Sequence, residues 1–421
     1  MEDIALWLVD KAGSRAARQI KQQGRRNGPA PNRLHKLIDS PELHVVLIGT
    51  GTPLVVENRS GPCTAILGAG HFFLIDVGPG TFRSCTLLGL PMGRLDAVIL
   101  THFHSDHIGD LGEVMTFSWI AGRTNVLPVY GPEGVDMVVD GFRNAYGLDM
   151  GYRRDHHAPY LEPSLHGMEP ITLAYPSKLC GCVPVFASSS EHGEFSIQAF
   201  EVDHFPVKPA YGFRITLNES VVVISGDTCK CDSLLRNCAG AHLVVQEAMC
   251  CHFISNMAAI QAATGNDFNA KLLSDIVDYH TSVQECVDIA AICHVPVMLL
   301  THMVPAPDNI LTEVVFFSRL HRPRGFQGAI ALGEDGMICK VTAAGKVELV
   351  SSARRPQVNP AWLFFVVVLV NATAIFMSPA NTILSPDQTS VLIMFLFGMS
   401  VHGLIITSFY RVKCLGGGSV I

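Results

Sequence analysis

The stretch LTHFHSDHIG, residues 100–109, places three imidazoles and one carboxylate within six residues. It follows an apolar run that predicts a buried strand ending at a loop. Because side chains alternate along an extended chain, His102 and His104 point the same way, and the turn that follows brings Asp106 and His107 beside them. Nitrogen and oxygen donors at this density suit zinc, and such ligands also accept manganese or iron. The stretch therefore predicts a metal site at the end of a strand.

Three further donors appear elsewhere in the chain, each where an apolar run ends. Ligands at strand ends meet at one rim of a sheet, so we expect these donors to join the first four. Two metal ions held close together can share a hydroxide and clamp both the attacking and the leaving oxygen of an ester. Asp227 is expected to bridge the two ions. The seven candidate ligands are His102, His104, Asp106, His107, His204, Asp227 and His302.

This set of motifs resembles the metallo-β-lactamase superfamily, specifically its ribonuclease Z and arylsulfatase-like branch. The resemblance covers residues 43 to about 350. VVLIGTGTP, residues 45–53, looks like the opening strand and glycine turn of that branch. FFLIDVGPG, residues 72–80, resembles the strand-Asp-x-Gly element that supports the metal loop. HFPVKPAYGFR, residues 204–214, is similar to the segment that holds the third ligand of one metal.

The resemblance also implies a catalytic set. HTS, residues 280–282, resembles a His-Ser-Thr motif whose histidine assists proton transfer, although a simple capping role before a helix is the alternative. Gln246 and Glu247 stand where ribonuclease Z has His-Glu, so Glu247 is expected to hold His280 in position. Asp106 is expected both to bind a metal and to orient the nucleophile. The expected nucleophile is a metal-bound hydroxide, because zinc lowers the pKa of its bound water to about 7.

The order of predicted elements agrees with the fold that the resemblance implies. That fold is α/β (α+β), a four-layer αββα sandwich with two sheets face to face and helices outside. Strands are predicted over residues 127–130 and 296–301, and helices over residues 133–145 and 282–293.

Departures from the branch bear on the substrate. Ribonuclease Z enzymes commonly insert a long arm between the positions of His204 and Asp227, but only 22 residues separate them here. Residues 147–181 and 250–274 are enlarged instead. The second of these is helical in pattern and is predicted to form a lid over the pocket. Arg59 aligns loosely with an arginine near the substrate phosphate.

Composition sets outer limits. A net charge of −7 and a pI of about 6.2 exclude a globally basic nucleic-acid surface. Only 16% of residues are charged and the mean hydropathy is +0.31, which is apolar for a soluble enzyme. Thirteen cysteines without paired Cys-x-x-Cys sets predict free thiols. His156, His157 and His192 are interpreted as solvated loop residues, and Asp203 as a structural group.

The two ends of the chain differ from the centre. The N-terminal residues are basic and weakly amphipathic, which predicts a surface helix. Residues 361–377 and 391–409 are uncharged runs long enough to span a bilayer, and basic residues flank both outer ends. We therefore expect a transmembrane hairpin that tethers a cytoplasm-facing enzyme, with a buried helical hairpin as the alternative. The predicted division is an arm over 1–40, a catalytic domain over 41–352, the hairpin over 353–413 and a tail over 414–421.

The leading hypothesis for function is a dinuclear zinc hydrolase, a ribonuclease Z-like phosphodiesterase with RNA as a candidate substrate. An arylsulfatase-like sulfate-ester hydrolase shares every ligand and is the nearest alternative. A non-catalytic, metal-stabilised membrane scaffold is the alternative from another class. Dimers are usual among members of the branch, so the resemblance also implies a homodimer.

Overall fold

The computed structural model describes residues 34–175, 181–318 and 320–351. The described residues up to Asp308 and from Phe316 onward belong to one compact unit, while Asn309–Val315 fall in a second. Both sheets and the core between them belong to the first unit.

Fifteen strands in the described ranges form two sheets. The eight-stranded sheet has the order β15-β14-β1-β2-β3-β4-β5-β6, and the seven-stranded sheet has the order β13-β12-β11-β10-β9-β8-β7. The strands are β1 Leu43–Gly49, β2 Cys63–Gly68, β3 His71–Ile75, β4 Ala97–Ile99, β5 Leu127–Gly131, β6 Met168–Thr172, β7 Cys182–Ser190, β8 Gly193–His204, β9 Val207–Leu217, β10 Ser220–Ile224, β11 Leu243–Met249, β12 Val297–Val304, β13 Ala329–Leu332, β14 Ile338–Val341 and β15 Val347–Ser351.

Parallel pairing occurs in the part of each sheet that carries the donor motifs. Strands β3 to β6 pair in parallel, as do β10 to β13, and the remaining pairs are antiparallel. The carboxyl ends of neighbouring parallel strands meet at one edge of the sheet. This explains why donors that are far apart in the sequence converge.

Helices connect the strands. They are α1 His35–Ile38, α2 Thr81–Leu88, α3 Ser105–Ile108, α4 Leu111–Ile120, α5 Val135–His157, α6 Asp232–Cys238, α7 Cys251–Ala263, α8 Asp267–Ile276, α9 Val283–Ile292 and α10 Ile310–Phe316, with short 3-10 helices at Met92–Arg94, Pro163–Leu165 and Val277–Tyr279.

Three apolar clusters define four layers. Side chains from both sheets, such as Phe73 and Phe213, are fully buried together between them. A second cluster packs helices α4 and α5 on the outer face of the eight-stranded sheet, through residues such as Val114. A third packs α6 and α9 on the outer face of the seven-stranded sheet, through residues such as Ile289. This is the helix–sheet–sheet–helix arrangement that the family resemblance implies.

The helix that follows β5 is longer than predicted. The sequence predicts its end at Ala145, but α5 continues to His157. Glycines in this stretch disfavour a helix locally. Partial burial of Tyr146 and Met150, together with an ion pair between Arg153 Nε and Asp149 Oδ2 at 2.6 Å, supports the extension. The prediction of a loop there was therefore wrong.

The strand predicted over residues 127–130 is β5, and two predicted helical segments are also confirmed. The helix predicted over residues 282–293 is α9, with Ser282 as its N-cap and Glu285 completing a capping box. The predicted apolar insertion over residues 250–274 is the pair α7 and α8. Every cysteine in the described ranges is a free thiol.

Within residues 34–175, 181–318 and 320–351, no helix has the length and apolar character needed to cross a bilayer. The hairpin predicted over residues 353–413 lies outside the described residues, as do the tail and most of the N-terminal arm. These assignments remain predictions.

Candidate metal centre

All seven predicted ligands lie in one cluster. One group of donor atoms comes from His102, His104, His204 and Asp227, and a second from Asp106, His107 and His302. Within each group the donor atoms lie within 4.8 Å of one another. Six of the seven side chains are buried, and only His104 is exposed.

The first four donors are positioned by the end of β4. His102 comes three residues after Ile99, and α3 carries Asp106 and His107 in its single turn. The Nδ1–H of His102 donates to Thr101 Oγ1 at 2.9 Å, and that hydroxyl donates in turn to Asp76 Oδ2 at 2.8 Å. The ring of His102 is thereby fixed with Nε2 facing the cluster.

Asp76 also orients a second imidazole. The Nδ1–H of His107 donates to Asp76 Oδ2 at 2.8 Å, which leaves Nε2 of His107 free to bind a metal. Asp76 is buried in the loop directly after β3. The predicted role of the strand-Asp-x-Gly element, support of the metal loop, matches these contacts.

The seven-stranded sheet supplies the other three donors. His204 is the last residue of β8, and Asp227 follows β10 by three residues. His302 was expected at the end of a strand, and this was wrong, because β12 continues to Val304. His302 is instead the extra residue of a β-bulge, since Thr301 pairs with Glu247 and Met303 pairs with Ala248.

The bulge redirects the His302 side chain. The φ of His302 is 41°, in the left-handed region that few non-glycine residues adopt. Its Nε2 lies 3.2 Å from Asp106 Oδ2 and 3.2 Å from Asp227 Oδ2. The strained backbone therefore brings a strand residue to both carboxylates.

Asp227 lies between the two donor groups. Its Oδ2 is 3.3 Å from His107 Nε2 and 4.0 Å from His204 Nε2. Burial alone would raise the pKa of Asp227, but the imidazoles of His302, His107 and His102 hold it well below the ordinary value. The carboxylate is therefore ionised at neutral pH and is placed to contact both groups.

The imidazoles respond to burial and to these carboxylates in opposite directions. Burial lowers the pKa of His204 to about 4 and lowers that of His102 well below its ordinary value. Burial also acts to lower the pKa of His107, but Asp227 and Asp76 raise it well above the ordinary value. Neutral imidazoles and ionised carboxylates are the forms that bind divalent cations.

The donor set fits metal ions of the zinc type. His102 Nε2 and His104 Nδ1 lie 2.9 Å apart, and His204 Nε2 lies 3.4 Å from the same His104 atom. Nε2 of His107 is buried with no hydrogen-bond partner in the described part of the chain. Imidazole nitrogens and carboxylate oxygens that converge in a buried site are the ligands that cations of the zinc type bind.

His280 and Glu247 form a buried pair beside this cluster. The Nδ1–H of His280 donates to Glu247 Oε1 at 3.1 Å, and the same oxygen accepts from the backbone N–H of Thr281 at 2.9 Å and of Thr228 at 3.2 Å. Burial acts to lower the pKa of His280, but the Glu247 carboxylate raises it to about 9. His280 is thus protonated at neutral pH and faces Asp227 and His302.

Two supporting groups were not found from the sequence. The backbone carbonyl of Tyr279 accepts from His204 Nδ1 at 3.0 Å, and the Thr101 hydroxyl holds His102. A carbonyl has no signature in a sequence. Thr101 directly precedes the metal motif, but nothing in the local sequence distinguishes its hydroxyl as a hydrogen-bond partner of His102.

Other predicted residues lie away from the donor cluster. The guanidinium of Arg59 donates to Thr50 Oγ1 at 2.5 Å and to the carbonyls of Gly333 at 2.8 Å and Pro307 at 3.2 Å. These contacts show a structural role for Arg59. His156 and His157 are exposed on the last turn of α5, a helix and not the predicted loop.

Comparison with known proteins agrees with this site. Residues 71–303, more than half of the chain, match the family described as Beta-lactamase superfamily domain. The chain belongs to the beta-lactamase superfamily. The matched residues begin at β3 and end one residue after His302, so all seven donors lie within them.

Ribonuclease Z proteins are similar in sequence to most of this chain. Ribonuclease Z of Mycobacterium marinum is 34% identical over 298 residues, 70% of this chain and 96% of the relative. Ribonuclease Z of Mycolicibacterium paratuberculosis is 33% identical over 296 residues, again 70% and 96%. The chain is therefore a member of the ribonuclease Z family, which confirms the prediction of a hydrolase.

Among solved structures, human tRNase Z, short form, aligns over 70% of this chain and 98% of its own length. It shares 19% sequence identity with this chain at a TM-score of 0.49.

Proposed function

We propose that this chain is a dinuclear zinc-dependent phosphodiesterase that cleaves RNA in the manner of ribonuclease Z. The observation that supports the proposal is the convergence of seven nitrogen and oxygen donors from two sheets, beside the hydrogen-bonded pair of His280 and Glu247. Family membership supports an RNA substrate. The chemistry of the donors supports zinc, and manganese or iron are alternatives.

The ligands divide between two ions. We assign His102, His104 and His204 to one ion and Asp106, His107 and His302 to the other, with Asp227 shared between them, as its position between the groups supports. Ions bound there would polarise a phosphoryl oxygen of the substrate and lower the pKa of a bound water.

The chain's own residues complete the mechanism. Asp106, whose Oδ2 lies 3.2 Å from His302 Nε2, would orient the attacking water by accepting a hydrogen bond from it. His280 donates a proton through Nε2 to the leaving oxygen, because its Nδ1 is committed to Glu247. Glu247 fixes the tautomer of His280 and stabilises its cation. This buried pair argues against a non-catalytic scaffold, which has no use for a positioned proton donor.

One observation favours a sulfate ester as the second candidate substrate. Residues 205–226 form only a short turn, the strands β9 and β10 and their connections, so no tRNA-gripping arm fits between His204 and Asp227. The arylsulfatase-like alternative uses the same donors and needs no arm.

We also propose, from sequence alone, that residues 353–413 form a membrane hairpin and that the catalytic domain, residues 41–352, faces the cytoplasm. The support is the pair of uncharged runs and the basic residues outside both. The homodimer implied by the resemblance likewise stays a prediction.

The test uses the full chain loaded with zinc, whose metal content is measured. Its hydrolysis of a precursor tRNA, of bis(p-nitrophenyl) phosphate and of p-nitrophenyl sulfate is compared with that of Asp227→Asn and His280→Gln. We expect cleavage of both phosphodiesters, loss of zinc and activity in Asp227→Asn, and unchanged zinc with about 100-fold lower RNA cleavage in His280→Gln. Sulfate turnover without phosphodiester turnover would replace the proposal with the second candidate.

A further inference from the structure

The turn beside the donor cluster exposes one aromatic ring. His204 pairs with Val207 across the β8–β9 hairpin, so the turn consists of Phe205 and Pro206 alone. The Cα atom of Phe205 is therefore about 3.8 Å from that of His204. His204 Nε2 lies 3.4 Å from His104 Nδ1 within the donor cluster, so the backbone of Phe205 directly follows a donor residue.

Phe205 contributes little to the fold. Its side chain is 75% exposed, whereas Phe200 on the preceding strand β8 is fully buried. Phe205 takes part in no aromatic contact in the described part of the chain. Tyr279, by contrast, packs its ring against the imidazoles of His204 and His280, with centroid distances of 5.2 Å and 4.8 Å. An exposed phenyl ring in a tight turn is held in place by the backbone and remains open to solvent.

The charge of the hairpin does not explain the exposed ring. Lys208, the nearest cation in the sequence, lies 3.7 Å from Glu201 Oε1 on the opposite strand, so the two charges offset one another. A ligand that recognises this turn therefore meets an exposed phenyl ring, with the exposed Asp203 two residues before it and the Lys208–Glu201 ion pair after it.

We propose that Phe205 is a stacking platform for a flat π-system of the substrate next to the scissile bond. This inference rests on the proposed function and narrows its substrate class. Two sources share the chemistry: an unpaired nucleobase of RNA and the aryl group of an aryl ester. Bases stack on aromatic side chains with little dependence on sequence, which suits an enzyme without an arm to select its RNA.

The test measures binding separately from turnover. Dissociation constants of the zinc-loaded full chain are determined by fluorescence anisotropy for a short RNA with a 3′ single strand and for the same RNA with abasic sites in that strand. The affinity for an aryl ester is measured by competition of bis(p-nitrophenyl) phosphate with the bound RNA. The variants are Phe205→Ala and Phe205→Trp, with Tyr160→Ala as the control because Tyr160 is 91% exposed. Zinc content and thermal stability verify that each variant is folded and loaded.

We expect Phe205→Ala to weaken binding of the intact RNA about tenfold, which equals about 1.4 kcal/mol, and to leave the abasic RNA unaffected. Phe205→Trp should bind as tightly as wild type, and Tyr160→Ala should show no change. If only the aryl compound loses affinity, the platform holds aryl groups and not bases. Equal affinities of wild type and Phe205→Ala for every probe would overturn the inference while RNA cleavage upholds the proposed function. Failure of the wild type to bind any probe would overturn both.

Discussion

Single residues behind the ligands decide how well the metal centre is formed. The buried Asp76 carboxylate accepts from the backbone N–H of Thr101, the Thr101 hydroxyl and His107 Nδ1, each at 2.8 Å. Its φ of 58° places it in the left-handed region, which aspartate tolerates better than most residues. One side chain therefore fixes two ligand rings and the start of the metal loop.

We predict that Asp76→Asn weakens zinc binding about 10- to 100-fold. An asparagine side chain has only one acceptor oxygen, and it presents an amide N–H₂ donor where the second carboxylate oxygen accepted a hydrogen bond. Zinc affinity is measured by competition with a chromophoric chelator. Asp203→Asn is the matched control, since Asp203 is exposed and lies beside His204. Equal losses in both variants would contradict the role of Asp76.

A titratable residue outside the site predicts part of the pH dependence of stability. Burial, then the charges of Arg123 and Arg143, lower the pKa of His166 from 6.5 to about 4. In the unfolded chain His166 is therefore protonated as the pH falls through 6.5, whereas in the folded chain it is protonated only as the pH falls through about 4. The contribution of neutral His166 to the free energy of unfolding is fully present above pH 6.5 and is lost as the pH falls toward 4.

We expect His166→Gln to reduce the loss of stability between pH 7.5 and pH 5 by about 1 kcal/mol, a value reduced for the partial exposure of the ring. Unfolding in urea at both pH values measures the free energy of unfolding. His157→Gln, at an exposed position, is the control and should leave the loss unchanged. An unchanged loss in His166→Gln would show that other groups account for it.

At the scale of elements, close approach of two loops sets the position of the metal ligands. The loop after β3 passes directly against the loop after β4. A Cβ atom added at Gly78 would collide with the backbone carbonyl of Asp106 and with the backbone of Gly61 and Pro62. Backbone atoms cannot move aside without displacing the ligand that they carry.

Gly78→Ala is therefore expected to destabilise the protein by about 1 to 3 kcal/mol and to weaken zinc binding. Gly141→Ala is the matched control, because Gly141 lies in α5 with open space around it. Alanine there should leave stability unchanged or raise it by up to about 1 kcal/mol. Thermal unfolding and the chelator competition measure both effects. Normal zinc affinity in Gly78→Ala would contradict the argument.

At the scale of the whole molecule, the donors come from both sheets. His102, His104, Asp106 and His107 follow the eight-stranded sheet, and the other three ligands belong to the seven-stranded sheet. Bound ions would therefore tie the two sheets together at one edge of the shared core. Without cations, two carboxylates and several imidazoles remain packed at that edge, and their burial is costly.

Removal of metal is predicted to lower the thermal stability of the whole sandwich. With free zinc at 100 times its dissociation constant, binding adds about 2.7 kcal/mol to the free energy of unfolding. Scanning calorimetry with and without a chelator measures the difference. Readdition of zinc should restore the transition, and Asp227→Asn should respond much less to either treatment. An identical transition with and without chelator would contradict a stabilising metal centre.

Short-range patterns in the amino-acid sequence predict the local structure of this protein correctly at several places. Residues 100–109, the apolar runs before His204 and Asp227, and the capping signal at Ser282 are short-range patterns, and the chain folds locally as they predict. The family resemblance added the order of layers, because alternating elements alone leave the arrangement of the sheets open.

Other features depend on contacts between residues that are far apart in the sequence. The bulge at His302 arises from its pairing with β11, and the support of His204 comes from a backbone carbonyl 75 residues away. The helical extension to His157 likewise depends on packing of Tyr146 and Met150. Pairing register, carbonyl direction and burial are set by contacts between remote segments, and a local pattern of residues does not specify them.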